Sequence, residues 1–101
     1  MTDRPLVAFH PEAVKEIEAA IRWYANRSHR AAQRFVDELH AAVETIEAAP
    51  NRWPEFEGVA RRVLLHRFPY LVIYRVTKQR IEVLAVAHGH QRPGYWRERM
   101  E

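Results

Sequence analysis

Positions 12–49 form a run of 38 residues with neither glycine nor proline, and apolar side chains recur through it at helical spacing. The stripe is Val14, Ile17, Ile21 and Tyr24, then Phe35, Leu39, Ala42 or Val43, and Ile46. Pro11 suits a first helical turn, Glu12 and Glu16 favour the positive end of the dipole, and Pro50 marks the stop. At 1.5 Å per residue a single helix of this length would reach about 57 Å, roughly twice the diameter of a small domain. A break is therefore required. Polar residues interrupt the stripe at Asn26-Arg27-Ser28-His29, where Ser28 can cap a second helix, so an antiparallel helical hairpin is expected. The glutamates of both helices fall opposite the stripe, as a solvated face.

Around the hairpin the sequence changes period. Leu6-Val7-Ala8-Phe9 reads as a short strand before it, and Asn51 to Gly58 as a connection held down by Trp53 and Phe56. Three runs rich in β-branched, aromatic and aliphatic residues follow: Arg62 to His66, Tyr70 to Val76 and Ile81 to Ala87. Phe68-Pro69 and Lys78-Gln79 are connections short enough for an antiparallel meander. The expected fold is α+β: an N-terminal strand, the helical hairpin, then a three-stranded antiparallel meander completing one sheet. On the middle run both alternating sets are largely apolar, Tyr70, Val72, Tyr74 and Val76 on one side and Leu71 and Ile73 on the other. One helical layer covers one face, so something else is expected to cover Leu71 and Ile73.

A chain of 101 residues leaves room for one domain, residues 1–101. Without cysteine it cannot perform thiol catalysis or build zinc–thiolate sites or disulfides, and a reducing cytoplasm is the expected location. Asp3, Arg4 and Pro5 stand where a signal peptide needs apolar residues, and no membrane span or membrane partner is expected. Positions 1–60 hold 7 Lys+Arg against 10 Asp+Glu, whereas 61–101 hold 9 against 3, so the C-terminal half should favour an acidic or polyanionic partner.

No glycine-rich phosphate loop, nucleophile elbow or paired catalytic carboxylate occurs, and no cofactor is expected. His88-Gly89-His90 lacks a carboxylate nearby in sequence, so no metal site is expected there. What remains is a basic and aromatic cluster: Arg61, Arg62, His66, Arg67, Arg75, His88, His90, Arg92, Tyr95 and Trp96. Metal-free phosphodiester cleavage needs an acid or base near neutrality and cations around the phosphate, and RNA recognition uses aromatic faces. The same residues equally serve to solubilise a sheet and complete a core.

The ordered blocks Val7-Ala8-Phe9-His10-Pro11-Glu12-Ala13, Trp23-Tyr24, Pro50-Asn51-Arg52-Trp53-Pro54, Arg61-Arg62-Val63-Leu64, Arg67-Phe68-Pro69-Tyr70-Leu71-Val72-Ile73-Tyr74 and His88-Gly89-His90-Gln91-Arg92-Pro93-Gly94-Tyr95-Trp96 resemble the RelE/ParE superfamily of toxins over nearly the whole chain. The resemblance implies the toxin of a type II toxin–antitoxin module, of the plasmid-stabilisation type, neutralised by a cognate protein antitoxin; the apolar sheet face and the Arg-rich half suit an antitoxin with a disordered acidic or amphipathic segment. RelE-like members cleave mRNA on the ribosome with basic strand residues and a C-terminal Arg and Tyr; ParE-like members poison DNA gyrase. Arg62 keeps one basic position of the RelE-like set, while two others fall on Leu64 and Leu71, which favours the ParE-like branch and a chain that is not an enzyme. If the chain is RelE-like, His88, Arg92, Arg62 and Tyr95 are the catalytic candidates, with His88 transferring a proton, the two arginines holding phosphate and Tyr95 positioning a base. The expected partner-binding residues are Arg62, Leu64, Arg67, Leu71, Ile73, Arg75 and Trp96. A third reading is a non-toxic binding module that retains the fold.

Overall fold

The computed structural model describes residues 5–78 and 80–101. The expectations at Asp3, Arg4 and Gln79 lie outside them. Element order is β1 (Leu6–Phe9), α1 (Pro11–Ala25), α2 (His29–Ala48), β2 (Glu55–Phe56), β3 (Ala60–Leu64), β4 (Tyr70–Thr77), β5 (Arg80–His88) and a terminal 3-10 turn (Arg97–Met100). The helix break falls at the expected place, and Ser28 Oγ accepts a hydrogen bond from Ala31 N at 3.1 Å. At the start of α1, His10 Nδ1 accepts from Glu12 N at 3.0 Å and Pro11 occupies the first turn.

The sheet has five strands in the order β1-β5-β4-β3-β2, one more than the sequence indicates. The additional strand, β2, lies inside the presumed connection, where positive φ at Glu57 and Gly58 turns the chain so that Glu55 and Phe56 pair with Arg61 and Ala60. The sheet is also mixed rather than antiparallel: β3, β4 and β5 form the meander, but β1 pairs with β5 in parallel. The hairpin supplies the crossover that a parallel partner requires. Strand ends shift too, β3 beginning at Ala60 and stopping at Leu64, before His66.

The hairpin covers one face, packing Phe35, Leu39 and Ile46 of α2 and Ala13 and Ala20 of α1 on Val72, Tyr74, Ile81, Val83 and Val86. Val14, placed in the stripe by periodicity, is instead 40% exposed, because small Ala13 and Ala20 take the positions nearest the sheet. Tyr24, Phe35, Phe68 and Tyr70 form an aromatic cluster tying the hairpin to the β3–β4 turn, with Tyr24 and Phe35 stacked at 5.5 Å and Phe68 edge-on to both. Buried Tyr74 Oη donates to Pro50 O at 2.7 Å and so fixes the exit from α2.

The opposite face is covered by the chain itself. Trp96 is buried against Ala60, Ile73, Leu84, Ala85 and Ala87, with Phe56, Leu71, Tyr95 and Met100 around it. An irregularity between Ile73 and Tyr74 makes Leu84 an extra residue on β5, so Leu84 and Ala85 both serve this second core. The expectation that a partner covers Leu71 and Ile73 is thereby corrected: the C-terminal segment folds back over them.

Candidate functional site

The C-terminal segment is held where β5 would otherwise expose its edge. β1 pairs with β5 only as far as Val83, so the backbone groups beyond need other partners. Side chains provide them. Glu16 Oε1 accepts from Val86 N at 3.0 Å, Leu84 O accepts from Arg99 Nη1 at 2.9 Å, and Gln91 Oε1 accepts from His88 N at 3.0 Å. Arg99 also donates to both oxygens of Glu16, each at 3.0 Å, and Tyr95 Oη donates to Glu16 Oε2 at 2.6 Å. Glu16 is therefore not on a solvated face, as periodicity suggests. It lies between Ala13 and Ala20 on the buried side of α1, a carboxylate inside the stripe, and that placement is the signal that could have marked it. Glu38 departs from the solvated face too, accepting from the backbone N–H groups of His66 and Arg67.

The return of the chain brings the four catalytic candidates together. Arg62, His88, Arg92 and Tyr95 all line one concavity of about 240 Å³ whose apolar lining includes Leu71, Ile73 and Trp96. Arg62 lies over the Phe56 ring at 4.6 Å, and Arg92 is exposed. His88 packs edge-on to Tyr70 at 5.1 Å and stacks on His90 at 5.1 Å; its Nδ1 accepts from His90 N at 3.1 Å. That bond occupies Nδ1 and leaves Nε2 as the ring nitrogen that can face a ligand. Tyr95 is committed to Glu16, and burial, followed by that hydrogen bond and the carboxylate charge, pushes its hydroxyl pKa well above the ordinary value. The site thus offers two arginines and an imidazole over an apolar floor, an arrangement suited to holding an anion.

The expected partner-binding residues separate. Arg62, Leu64 and Arg67 are exposed, Leu64 at 64%. Ile73 and Trp96 are buried against each other's layer with Leu71 half-buried beside them, so the three form the floor of the concavity rather than an open sheet face. Arg75 is engaged internally, with Nε on Glu82 Oε1 at 2.7 Å and Nη1 on Met100 O at 3.0 Å. β2 pairs only with Ala60 and Arg61, so β3 is an edge strand from Arg62 to Leu64. Alongside it a groove of about 480 Å³ runs between β3 and α2, lined by Glu38, Ala42, Arg52, Trp53, Arg62 and Leu64 among others.

The family comparison decides what such a chain is: residues 7–93 match the model of the ParE toxin of type II toxin–antitoxin systems, parDE. The chain belongs to the ParE toxin family. It is 39% identical over 59 residues to Toxin ParE2 from two strains of Mycobacterium tuberculosis, a match over 58% of this chain. The chain spans about half, 53%, of the length of those ParE2 relatives. Among solved structures, a chain of the chromosomal ParDE TA system from P. aeruginosa superimposes with a TM-score of 0.74 at 18% identity, covering 86% of this chain and 98% of that one. At that identity the likeness is one of fold. No helix among the described residues is long and apolar enough to cross a membrane.

Proposed function

We propose that this ParE-family chain inhibits growth in the cytoplasm as the toxin of a type II module, that its target is DNA gyrase, and that it acts by protein–protein contact rather than catalysis. The observation that carries this reading is the chemistry of the concave site. Leucines 64 and 71 occupy positions where the resemblance places cations of mRNA-cleaving relatives, and the Tyr95 hydroxyl is tied to Glu16. Two of the cations that would surround a phosphate are thus replaced by leucines, and the tyrosine is already engaged, which favours contact over cleavage.

An antitoxin with an acidic, amphipathic segment is the proposed regulator, and the groove between α2 and β3 is its proposed seat. The free edge Arg62–Leu64 can pair with an extended segment, exposed Leu64 can receive an apolar side chain, and Arg52, Arg62 and Arg67 attract carboxylates.

A second reading, ribosome-dependent mRNA cleavage, draws on the convergence of Arg62, His88, Arg92 and Tyr95 around one cavity. Induced expression of the chain without antitoxin separates the two, using primer extension on a defined mRNA and supercoiling by gyrase from the same cells. Lost supercoiling or trapped cleaved DNA with intact mRNA is expected. Ribosome-dependent cuts that vanish in His88→Ala or Arg92→Ala would replace gyrase with mRNA as the target, and harmless expression of a soluble chain would support the non-toxic binding module.

A further inference from the structure

The acidic half of the chain contains a segment without a single acid. Residues 22–34, the end of α1, the turn and the start of α2, carry Arg22, Arg27, Arg30 and Arg34 with His29 and no Asp or Glu. All four arginines are exposed. The acidic residues Glu12, Glu18, Glu44 and Glu47 occupy the other ends of the two helices, so the hairpin is charge-segregated along its length.

Nothing within the described residues neutralises this tip. None of the four arginines takes part in an ion pair there, whereas Arg61, Arg75, Arg97 and Arg99 each hold a glutamate. The nearest carboxylates on α2 are occupied: Asp37 Oδ1 accepts from Gln33 Nε2 at 3.1 Å, and Glu38 serves the backbone of His66 and Arg67. Arg34 and Arg67 line a shallow concavity together with these two carboxylates, so Arg34 is the least isolated of the four. The arrangement also opposes helix stability. Arg30 stands in the first turn of α2, which holds no acid, against the positive end of the dipole, and Arg30 and Arg34 are like charges one turn apart.

We propose that the tip of the helical hairpin binds the phosphate backbone of duplex DNA. Arginine forks recognise phosphate in pairs of hydrogen bonds, and lysine, a point charge without that geometry, is absent from the tip. A single strand would require open aromatic faces. Half-exposed Trp23 does not supply a free platform, because the Arg27 guanidinium lies over its ring at 3.6 Å and is fixed there by donating to Trp23 O at 3.0 Å. A duplex presents rows of phosphates without any base being unstacked, which matches exposed cations that have no open stacking platform beside them. The proposal goes beyond gyrase inhibition and stands or falls independently of it.

The test is fluorescence anisotropy of the purified full chain with a labelled mixed-sequence 20-base-pair DNA duplex, titrated at several salt concentrations. Three phosphate contacts, from Arg22, Arg30 and Arg34, predict a loss of affinity of about 40-fold between 50 and 200 mM salt. Arg30→Gln/Arg34→Gln should remove two contacts and reduce that loss to about 3-fold, with weaker binding at 50 mM and an unchanged circular dichroism spectrum. Absence of binding at 50 mM salt, or an unchanged salt dependence in the double variant, overturns the proposal. So does loss of binding in Arg62→Gln/Arg92→Gln with the tip intact. Equal affinity for single-stranded DNA or duplex RNA rejects the duplex-DNA assignment, and polyglutamate competing as well as unlabelled duplex assigns the tip to acidic protein instead.

Discussion

Glu16, in the second turn of α1, and Arg99, in the last turn of the chain, are joined by two parallel hydrogen bonds of 3.0 Å, with both side chains more than four-fifths buried. The pair spans 83 residues and closes the chain on itself, since Arg99 also donates to Leu84 O and Glu16 accepts from Val86 N. Removing one partner leaves the other charge without its counterion in a largely desolvated position. Glu16→Gln is expected to destabilise the protein by about 2–3 kcal/mol, measured by urea unfolding. A loss under about 0.5 kcal/mol, the range of an ordinary surface substitution, would show that the pair is only a surface contact.

Tyr95 makes this closure sensitive to alkali. Its pKa is raised in the folded chain, chiefly by burial and then by Glu16, so above the ordinary tyrosine value the unfolded chain releases a proton that the folded chain retains. Stability is therefore full below about pH 10 and falls as pH rises beyond it. Burial raises Tyr24, Tyr70 and Tyr74 in the same direction. Thermal unfolding between pH 9 and 11 should show a steeper decline for the parent chain than for Tyr95→Phe; identical slopes would contradict the assignment.

Trp96 anchors the second core at 2% exposure, with Phe56 edge-on at 5.6 Å. Trp96→Ala should cost about 3–5 kcal/mol. It should also increase hydrogen exchange at the amides of residues 95–100, because the segment loses its largest apolar contact. A variant with parent stability would mean that the face over Ile73 does not depend on this side chain.

On the accessible side, Arg62→Glu/Arg67→Glu should leave the melting temperature within about 2 °C, since both residues are exposed. The double reversal should weaken antitoxin binding at least tenfold and flatten its salt dependence. Unchanged affinity in a binding titration would remove the β3 edge from the proposed interface.

Much of the architecture was legible locally. The glycine- and proline-free run, the Ser28 cap and the β-branched runs at 70–76 and 81–87 specify helices and strands through neighbours a few residues away. The turn at Glu57 and Gly58 was not, because a two-residue strand has no periodicity to read.

Sequence alone determined the helical hairpin, the meander and the supply of arginines, since capping, period and composition are properties of adjacent residues. Tertiary structure decided which groups are free. Glu16 and Glu38 look like solvated acids until Val86 and Arg99, or His66 and Arg67, are brought to them. Trp96 and Ile73 read equally as interface or core until the C-terminus folds back over β4 and β5. Burial and hydrogen bonding between distant residues depend on chain closure over tens of residues, and no local pattern encodes which partners will meet.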